Sequence, residues 1–200
     1  RRPRGLHPPI GRQRQMLIRD RDNRMPGDEW SGKQTKTDLN KVLSAKYPPA
    51  GILVKEVMNY QVFFDVNKID SLNLDYSVIK DIAVKELEKN PQVQYACDME
   101  KTSLCSIPEE IKYRIINGYN RERSGGVQII LKPGICEWGK TGTTHGEWNP
   151  YDTHIPLVFM GWGIHHGASA KQCFMTDIAP TIAALLHIQS PSGCVGQPIF

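Results

Sequence analysis

The chain has 200 residues, a net charge of +4, and 40% hydrophobic and 23% charged residues. Such a length is enough to bury a hydrophobic core in one domain, or in one large piece of a bigger domain. The apolar runs fall far short of the roughly 20 residues that a transmembrane helix needs, so the sequence excludes a helical membrane span.

The positive charge is concentrated in the first part of the chain. Residues 1–24 contain eight arginines, no lysine and two acidic residues, whereas residues 25–200 contain 17 basic and 19 acidic residues. We therefore divide the chain into an atypical arginine-rich segment, 1–24, and a domain, 25–200. This segment lacks helical or aromatic interleaving, so we expect no nucleic-acid partner. Residues 1–20 also lack the apolar stretch of about 7–15 residues that marks a secretory signal.

Hydrophobic spacing and helix-breaking residues predict alternating helices and strands over residues 35–118. Leu39, Val42 and Leu43 recur at helical spacing before Pro48, and a longer helical pattern ends at Pro91. Segments rich in β-branched and aromatic residues lie between the helical ones. The predicted elements are a helix at 35–46, a strand at 59–66, a helix at 75–89, a strand at 93–97 and a helix at 108–118.

The rest of the chain is predicted to place a long loop between two buried strands. The run GVQIILK at 126–132 is almost continuously apolar, which favours a strand covered on both faces. A loop at 135–155, a second buried strand at 155–161 and a helix at 176–186 follow. Because helices and strands alternate, the predicted class is α/β, with helices on both faces of a largely parallel sheet.

Five cysteines, an odd number without a CxxC pair, exclude a zinc finger and leave at least one thiol free. A disulfide between Cys97 and Cys105 and free thiols at these positions are both compatible with the spacing. We favour free thiols, because cysteine often serves as a small buried residue in protein cores.

The loop at 135–155 contains the residues best suited to chemistry, namely His145, Asp152 and His154. A neutral imidazole is the commonest metal ligand, and Gly146 lets the backbone beside His145 fold closely around an ion. By residue type alone, however, such a histidine is more often a surface or hydrogen-bonded residue. The chain has no P-loop, no dinucleotide-binding glycine motif and no GxSxG nucleophile motif.

Four strings in residues 25–200 form a specific combination. They are GTTHG at 142–146, YDTHIPLVF at 151–159, GWGI at 161–164 and TDIAPTIAALL at 176–186. Together they resemble the C-terminal part of the bacterial phosphate-irrepressible alkaline phosphatases, in the type I phosphodiesterase/nucleotide pyrophosphatase branch of the alkaline phosphatase superfamily. The segment RSGGVQIILKPG at 123–134 is also similar to this family, which usually has Asp where Gly126 stands.

The resemblance implies a two-zinc hydrolase that transfers a phosphoryl group from a phosphate monoester to a Thr or Ser nucleophile and then to water. Two Zn²⁺ ions about 4 Å apart stabilise the attacking and leaving oxygens. The histidine of the family's THG motif is a zinc ligand and matches His145. We expect His154 to be a supporting or structural residue rather than an alternative ligand, because it precedes a predicted buried strand, and Asp152 is a candidate of the same kind.

The remaining residues of that site have no counterpart in the chain. The family's nucleophile, most of its zinc ligands and its phosphate-binding residues lie upstream of the part that these residues resemble, so we expect a fragment that is inactive alone. The parent enzyme is expected to be periplasmic or secreted. A phosphodiesterase or nucleotide pyrophosphatase is the alternative within the superfamily. A nucleic-acid-binding module with a basic arm is the non-enzymatic alternative, and its binding would weaken steeply with salt.

Residues 1–5, RRPRG, stand where the family has an Asp-His-Gly zinc motif. Codons of the types CGN, CCN and GGN encode Ala-Asp-His-Gly-Ala here when read one nucleotide later, if the third bases allow. We therefore hypothesise that residues 1 to about 20 are an out-of-frame translation of that motif. The nucleotide sequence across codons 1–25 tests this hypothesis.

Overall fold

The structure is a computed structural model that describes residues 28–137, 146 and 148–200. The chain divides into two compact units, of which the first ends at His154 and the second spans Ile155–Phe200. The segment 1–24 and His145 lie outside the described residues. Among the described helices, none is both long and apolar enough to cross a lipid bilayer.

Six strands and five helices make up the first unit's described part, with short 3₁₀ turns at Pro48–Ala50 and Met99–Leu104. The strands are β1 (Asp28–Trp30), β2 (Val54–Met58), β3 (Gln61–Phe64), β4 (Val93–Asp98), β5 (Val127–Leu131) and β6 (Ile135–Glu137). The helices are α1 (Gly32–Lys46), α2 (Val66–Ser71), α3 (Tyr76–Leu87), α4 (Glu109–Gly118) and α5 (Pro150–Thr153).

Side-chain caps explain where the main helices begin. The Ser31 hydroxyl accepts a hydrogen bond from the Gln34 N–H at 3.2 Å, which caps α1 three residues earlier than periodicity predicted. The Asp75 carboxylate accepts one from the Ser77 N–H at 2.8 Å and caps α3. The helices predicted at 35–46, 75–89 and 108–118 are thus confirmed as α1, α3 and α4.

The main sheet is antiparallel, so the prediction of a largely parallel sheet is wrong for the described strands. Its order is β2-β3-β5-β4, and every neighbouring pair is antiparallel. Asp98 at the end of β4 pairs with Val127 at the start of β5. The connection through α4 therefore returns to the same end of the sheet at which β4 finishes. Alternation of helices and strands gives a parallel pair only when the connection crosses the sheet. The parallel pairing that is described joins β1 to β6 in a separate two-stranded sheet.

Strand β5 has a hydrophobic core on each of its faces. Val127, Ile129 and Leu131 belong to one core with α1 and α3, while Ile130 belongs to a second core with α4. All five residues of β5 are buried. These cores confirm the α/β class, the helices on both faces of the sheet, and the doubly covered strand predicted at 126–132.

The segment 59–66, which we predicted as one strand, contains a hairpin turn. Met58 pairs with Gln61, so Asn59 and Tyr60 alone connect β2 to β3. Both residues have positive φ, 50° and 58°, as the two-residue turns of β-hairpins require. A two-residue connection makes the pair antiparallel, and the strand therefore begins only after the turn.

The second unit contains a 3₁₀ turn, Met175–Asp177, followed by a helix, α6 (Ile178–Leu185). This confirms the helix predicted at 176–186. The buried strand predicted at 155–161 is wrong, because this segment is not a strand and most of it is exposed. Val158 and Met160, for example, are 82% and 95% exposed. An apolar run predicts burial, but a strand also needs a neighbour to pair with.

A disulfide joins Cys97, at the buried end of β4, to Cys105, eight residues later. The preference for free thiols is therefore wrong at these two positions. The spacing allowed both states, and the turn of the 3₁₀ segment brings the two Cα atoms to 6.1 Å, within the range that a disulfide spans. Cys173 and Cys194 are free.

Candidate functional site

The candidate site is sought among the described residues next to the segment 138–145, which follows β6 in the sequence. His145 itself falls outside the described residues, so its predicted role as a metal ligand stays a prediction. Asp152 lies in α5, and His154 follows this helix directly as an exposed residue. The expectation that His154 precedes a buried strand is wrong, because no strand follows it within residues 155–161.

Asp152 contacts the backbone next to His145. Its carboxylate accepts a hydrogen bond from the N–H of Gly146 at 3.0 Å. Gly146 has a φ of +124°, a conformation in which glycine is strongly favoured. Gly146 thus has a conformation that suits glycine, while its predicted role in folding the backbone around an ion stays a prediction.

The Tyr60 ring lies close to the same glycine. A Cβ atom placed on Gly146 would lie only 3.3 Å from Cε2 of the Tyr60 ring. The Tyr60 hydroxyl accepts a hydrogen bond from the N–H of Glu137, the last residue of β6, at 3.3 Å. Tyr60 therefore contacts the chain on both sides of the segment 138–145.

Glu137 connects this region to the start of α1. Its carboxylate accepts a hydrogen bond from the N–H of Gly32, the first residue of that helix, at 3.0 Å. A carboxylate is favourable at this position because the N–H groups of a helix N-terminus are unpaired and partly positive. The contact fixes the end of β6 relative to α1.

A narrow, mostly apolar pocket opens beside these residues. Trp148 packs partly against the core that contains α4, and its buried indole N–H has no hydrogen-bond partner among the described atoms. Tyr151, in α5, accepts hydrogen bonds from the Gly134 N–H and the Asn149 side chain, both at 3.0 Å. The pocket is lined by Tyr60, Ile129, Leu131, Gly146 and Trp148.

The described residues do not form a zinc site by themselves. No three His, Cys, Asp or Glu side chains among them are grouped so that they could hold a metal ion. The Asp152 carboxylate is engaged with the Gly146 backbone, and a structural or catalytic zinc needs three or four protein ligands. What the described residues supply is support for the backbone beside His145.

Tyr60, which lies 86 positions before Gly146, is not among the residues predicted from the sequence. A local signal for its unusual backbone was present, because Asn59 and Tyr60 stand between two β-rich runs and Asn favours the first position of a tight hairpin turn. No local signal connected this turn to Gly146, since that contact depends on how β3 pairs with β5.

Comparisons with known proteins agree with the resemblance found in the sequence. The chain is 48% identical over 165 residues to alkaline phosphatase PafA of Elizabethkingia meningoseptica, a match that covers 82% of this chain and 30% of PafA. It is 44% identical over 177 residues to alkaline phosphatase PhoV of Synechococcus elongatus, covering 88% of this chain and 32% of that one. A protein of Myroides odoratus named calcium-transporting ATPase is 44% identical over 169 residues, covering 84% and 31% respectively. No protein-family model matches the chain.

The fold of the chain is likewise similar to that of an alkaline phosphatase. A crystal structure of wild-type alkaline phosphatase PafA matches the chain with a TM-score of 0.84 and 44% sequence identity, over 92% of this chain and 35% of that one. The chain thus spans about a third of the length of the relatives that it matches. In sequence and in fold, it resembles the C-terminal part of a phosphate-irrepressible alkaline phosphatase, a phosphoric monoester hydrolase.

Proposed function

We propose that the chain contributes one wall of a zinc-dependent phosphatase site that hydrolyses phosphate monoesters, with His145 as a zinc ligand. The observation that supports this most directly is the similarity to PafA, at 44% identity and a TM-score of 0.84. In the proposed reaction a Thr or Ser hydroxyl outside these 200 residues attacks the phosphorus of the monoester and displaces its alcohol, and water then hydrolyses the phosphorylated residue to release phosphate. Zinc would supply electrostatic stabilisation of the oxygens in this transfer.

The described residues would act by holding the backbone beside His145. Asp152 accepts the Gly146 N–H, and Tyr60 packs on Gly146 while its hydroxyl accepts the Glu137 N–H. One imidazole is fewer ligands than a zinc site needs, so we expect these 200 residues to bind Zn²⁺ weakly and to lack turnover alone.

The test measures zinc affinity and turnover with the purified 200-residue chain. Titration with ZnCl₂ against a chromophoric chelator is expected to show weak binding that His145→Ala removes. The matched control is His187→Ala, since His187 is an exposed histidine beyond α6. Binding that survives His145→Ala would contradict the ligand role. Hydrolysis of 4-nitrophenyl phosphate by the chain would contradict the placement of the nucleophile outside it, and hydrolysis of bis(4-nitrophenyl) phosphate alone would favour a diesterase.

We further propose that the protein folds in an oxidising compartment, periplasmic or extracellular. The supporting observation is the Cys97–Cys105 disulfide, because such bonds persist mainly outside the reducing cytoplasm. Mass spectrometry of the native protein after alkylation of free thiols tests this proposal. Two unalkylated cysteines that become reactive only after reduction are expected, and five alkylated cysteines would contradict it.

We also propose that residues 1–24 are not part of the phosphatase fold. Their composition differs from that of residues 25–200, with eight arginines and no lysine. The nucleotide sequence across codons 1–25 is the test, and the out-of-frame hypothesis fails if the shifted frame does not encode Asp-His-Gly.

A further inference from the structure

The second unit, Ile155–Phe200, buries very few of its own residues. The structure describes all of this unit, and only Asp177, Pro180, Thr181 and Ala183 in it are buried. Two of these four are polar, although the unit is rich in large apolar residues. A short piece of chain has little core of its own, so its apolar residues usually need a further surface to pack against.

The run 158–163 lies beside α6, the helix of this unit. The rings of Phe159 and Phe200 pack edge to face, with their centres 5.4 Å apart. A Cβ atom placed on Gly163 would lie 3.7 Å from Cδ2 of Leu185, the last residue of α6. These two contacts bring the run next to the end of the helix.

Large apolar side chains are exposed on both of these segments. In the run they stand at every second position from Val158, and Trp162 is 81% exposed. On the helix, Ile182 and Leu186 are four positions apart and therefore lie on one side. The apolar surface, as we call it, consists of Val158, Met160, Trp162, Ile182, Leu186 and Ile188.

Charged side chains are almost absent from the second unit. Lys171 and Asp177 are its only Lys, Arg, Asp or Glu residues, whereas 23% of the residues in the whole chain are charged. Asp177 is buried and accepts backbone hydrogen bonds, so Lys171 is the one charged side chain that this unit exposes. Surfaces that face water carry roughly 25–35% charged residues. An apolar and nearly uncharged surface is typical of one that another protein covers.

The comparison with PafA indicates what kind of protein covers the apolar surface. The structural match spans 92% of this chain, so it includes most of the second unit, but it spans only 35% of the PafA chain. The same fold is therefore part of a much longer polypeptide in PafA. A lipid surface fits the unit less well, because anionic membranes attract clusters of Lys and Arg and this unit has Lys171 alone.

We propose that the apolar surface binds the part of the phosphatase polypeptide that these 200 residues do not contain. The proposal rests on the proposed function, which places the nucleophile in that same part. It does not involve His145, so zinc binding and this interface are tested separately. Because burial of apolar side chains needs no covalent link between the partners, the two parts should assemble when they are made as separate chains.

The experiment mixes the purified 200-residue chain with the part of PafA outside the match, produced as a separate polypeptide. The first readout is oxidation of methionine by hydrogen peroxide, followed by mass spectrometry. Met160 is 95% exposed and should oxidise readily in the chain alone. We expect it to oxidise about 10-fold more slowly in the mixture, since the reaction depends on exposure. Met99 is buried and serves as the slowly oxidised reference in both samples.

The second readout is the dissociation constant of the two polypeptides. Val158→Glu and Trp162→Glu each place a carboxylate in the proposed interface, and we expect each to weaken binding about 10-fold or more. The matched control is Leu104→Glu, because Leu104 lies in the first unit and is 81% exposed, close to the 82% of Val158. It should change the constant by no more than about twofold. Equal weakening by all three substitutions would overturn the proposal.

The third of PafA that matches this chain is the positive control for binding. If it binds the separate PafA polypeptide and the 200-residue chain does not, the proposal is wrong. If neither binds, the chain is fused to that polypeptide, and Met160 that oxidises as fast in the fusion as in the chain alone would overturn the proposal.

Other occupants of the apolar surface give different results. Slow oxidation of Met160 in the chain alone would show that a second copy or the first unit covers it, and would overturn the proposal. Protection by vesicles of phosphatidylcholine and phosphatidylserine, without protection by the PafA polypeptide, would also overturn it. Assembly without hydrolysis of 4-nitrophenyl phosphate would support the interface and contradict the proposed function, whereas hydrolysis by the assembled pair alone would support both.

Discussion

Lys80 and Asp98 form an ion pair inside the first unit, with Nζ of Lys80 2.8 Å from Oδ1 of Asp98. Both residues are buried, at 1% and 5% exposure. The Lys80 ammonium also contacts the Glu100 carboxylate and lies 4.7 Å from the centre of the Tyr76 ring. Burial opposes the charge on Lys80, but its hydrogen bonds to Asp98 and Glu100 outweigh this effect and raise its pKa. Burial also raises the pKa of Tyr76 to about 12.

Removing one partner of this pair is expected to destabilise the protein strongly. Asp98→Ala leaves the Lys80 ammonium buried with less compensation, and we expect the free energy of unfolding to fall by about 3–5 kcal/mol. Urea denaturation followed by circular dichroism measures this loss. Glu56→Ala is the control, because it breaks the exposed pair with Lys36 and should leave the midpoint nearly unchanged. Equal effects of the two substitutions would contradict the prediction.

The double variant Lys80→Met/Asp98→Leu refines this experiment. Because it removes both charges and leaves apolar groups, it is expected to recover much of the stability lost in Asp98→Ala.

The same cluster makes the stability of the protein depend on pH. The pKa of Glu100 is lowered mainly by its hydrogen bond from Lys80. The stability that this hydrogen bond contributes is therefore present above the ordinary pKa of 4.5 and is lost as the pH falls. The pKa of Lys80 is raised, so the stability that its charged form contributes is lost only as the pH rises above 10.5, the ordinary pKa of lysine.

A side chain at Gly126 is expected to disturb the same cluster. A Cβ atom there would lie 2.3 Å from the Tyr76 hydroxyl oxygen and 3.2 Å from Cδ of Lys80. We therefore expect Gly126→Ala to lower the free energy of unfolding by about 1–3 kcal/mol, as overpacking of a core does. In a Tyr76→Phe background, which lacks the clashing oxygen, the same substitution should be less harmful. An identical loss in both backgrounds, measured by denaturation, would show that this contact is not the cause.

The disulfide is expected to stabilise the unit that contains β4. Cys105→Ser removes a bond that closes a loop of eight residues, and the chain-entropy model gives a loss of about 2–3 kcal/mol. Cys173→Ser is the control, because Cys173 is free. Thermal unfolding with and without reductant measures the effect. Reductant should lower the stability of the parent and of Cys173→Ser, and it should leave Cys105→Ser unchanged.

The second unit is expected to lose stability in acid. The Asp177 carboxylate accepts hydrogen bonds from the N–H groups of Gln197 at 2.9 Å and Phe174 at 2.8 Å. These bonds, the one from Gln197 above all, hold the pKa of Asp177 below its ordinary value of 3.8. As the pH falls, the unfolded state therefore binds a proton before the folded state does. The stability that ionised Asp177 contributes is present above pH 3.8 and is lost below it.

NMR titration of the Asp177 carboxyl carbon checks the direction of this shift. Its midpoint in the folded protein should lie below the midpoint in urea. Asp177→Asn should reduce the protection of the Gln197 amide at neutral pH and flatten the loss of protection between about pH 5 and 2. If the protection of the Gln197 amide still falls steeply with acid in Asp177→Asn, a group other than Asp177 causes the loss.

The best sequence predictions concerned features that neighbouring residues determine. Helices α1, α3, α4 and α6 follow from hydrophobic spacing and from caps such as Ser31 and Asp75, whose partners lie two or three positions away. The burial of β5 on both faces follows from its continuous apolar run. The strings around His145 and 176–186 were specific enough to indicate the phosphatase relationship that the comparisons confirm.

The tertiary structure decided the features that join distant segments. The antiparallel direction of β4 and β5 depends on where the connection through α4 returns. The pairing of Lys80 with Asp98 depends on how α3 packs against β4. Tyr60 reaches Gly146 only because β3 pairs with β5. By itself the sequence determined the local elements and the family resemblance, since each rests on contacts within a few residues or on short strings. The antiparallel sheet and the contact of Tyr60 with Gly146 were decided by tertiary packing, because long-range pairing depends on the balance of burial over the whole chain and has no local pattern.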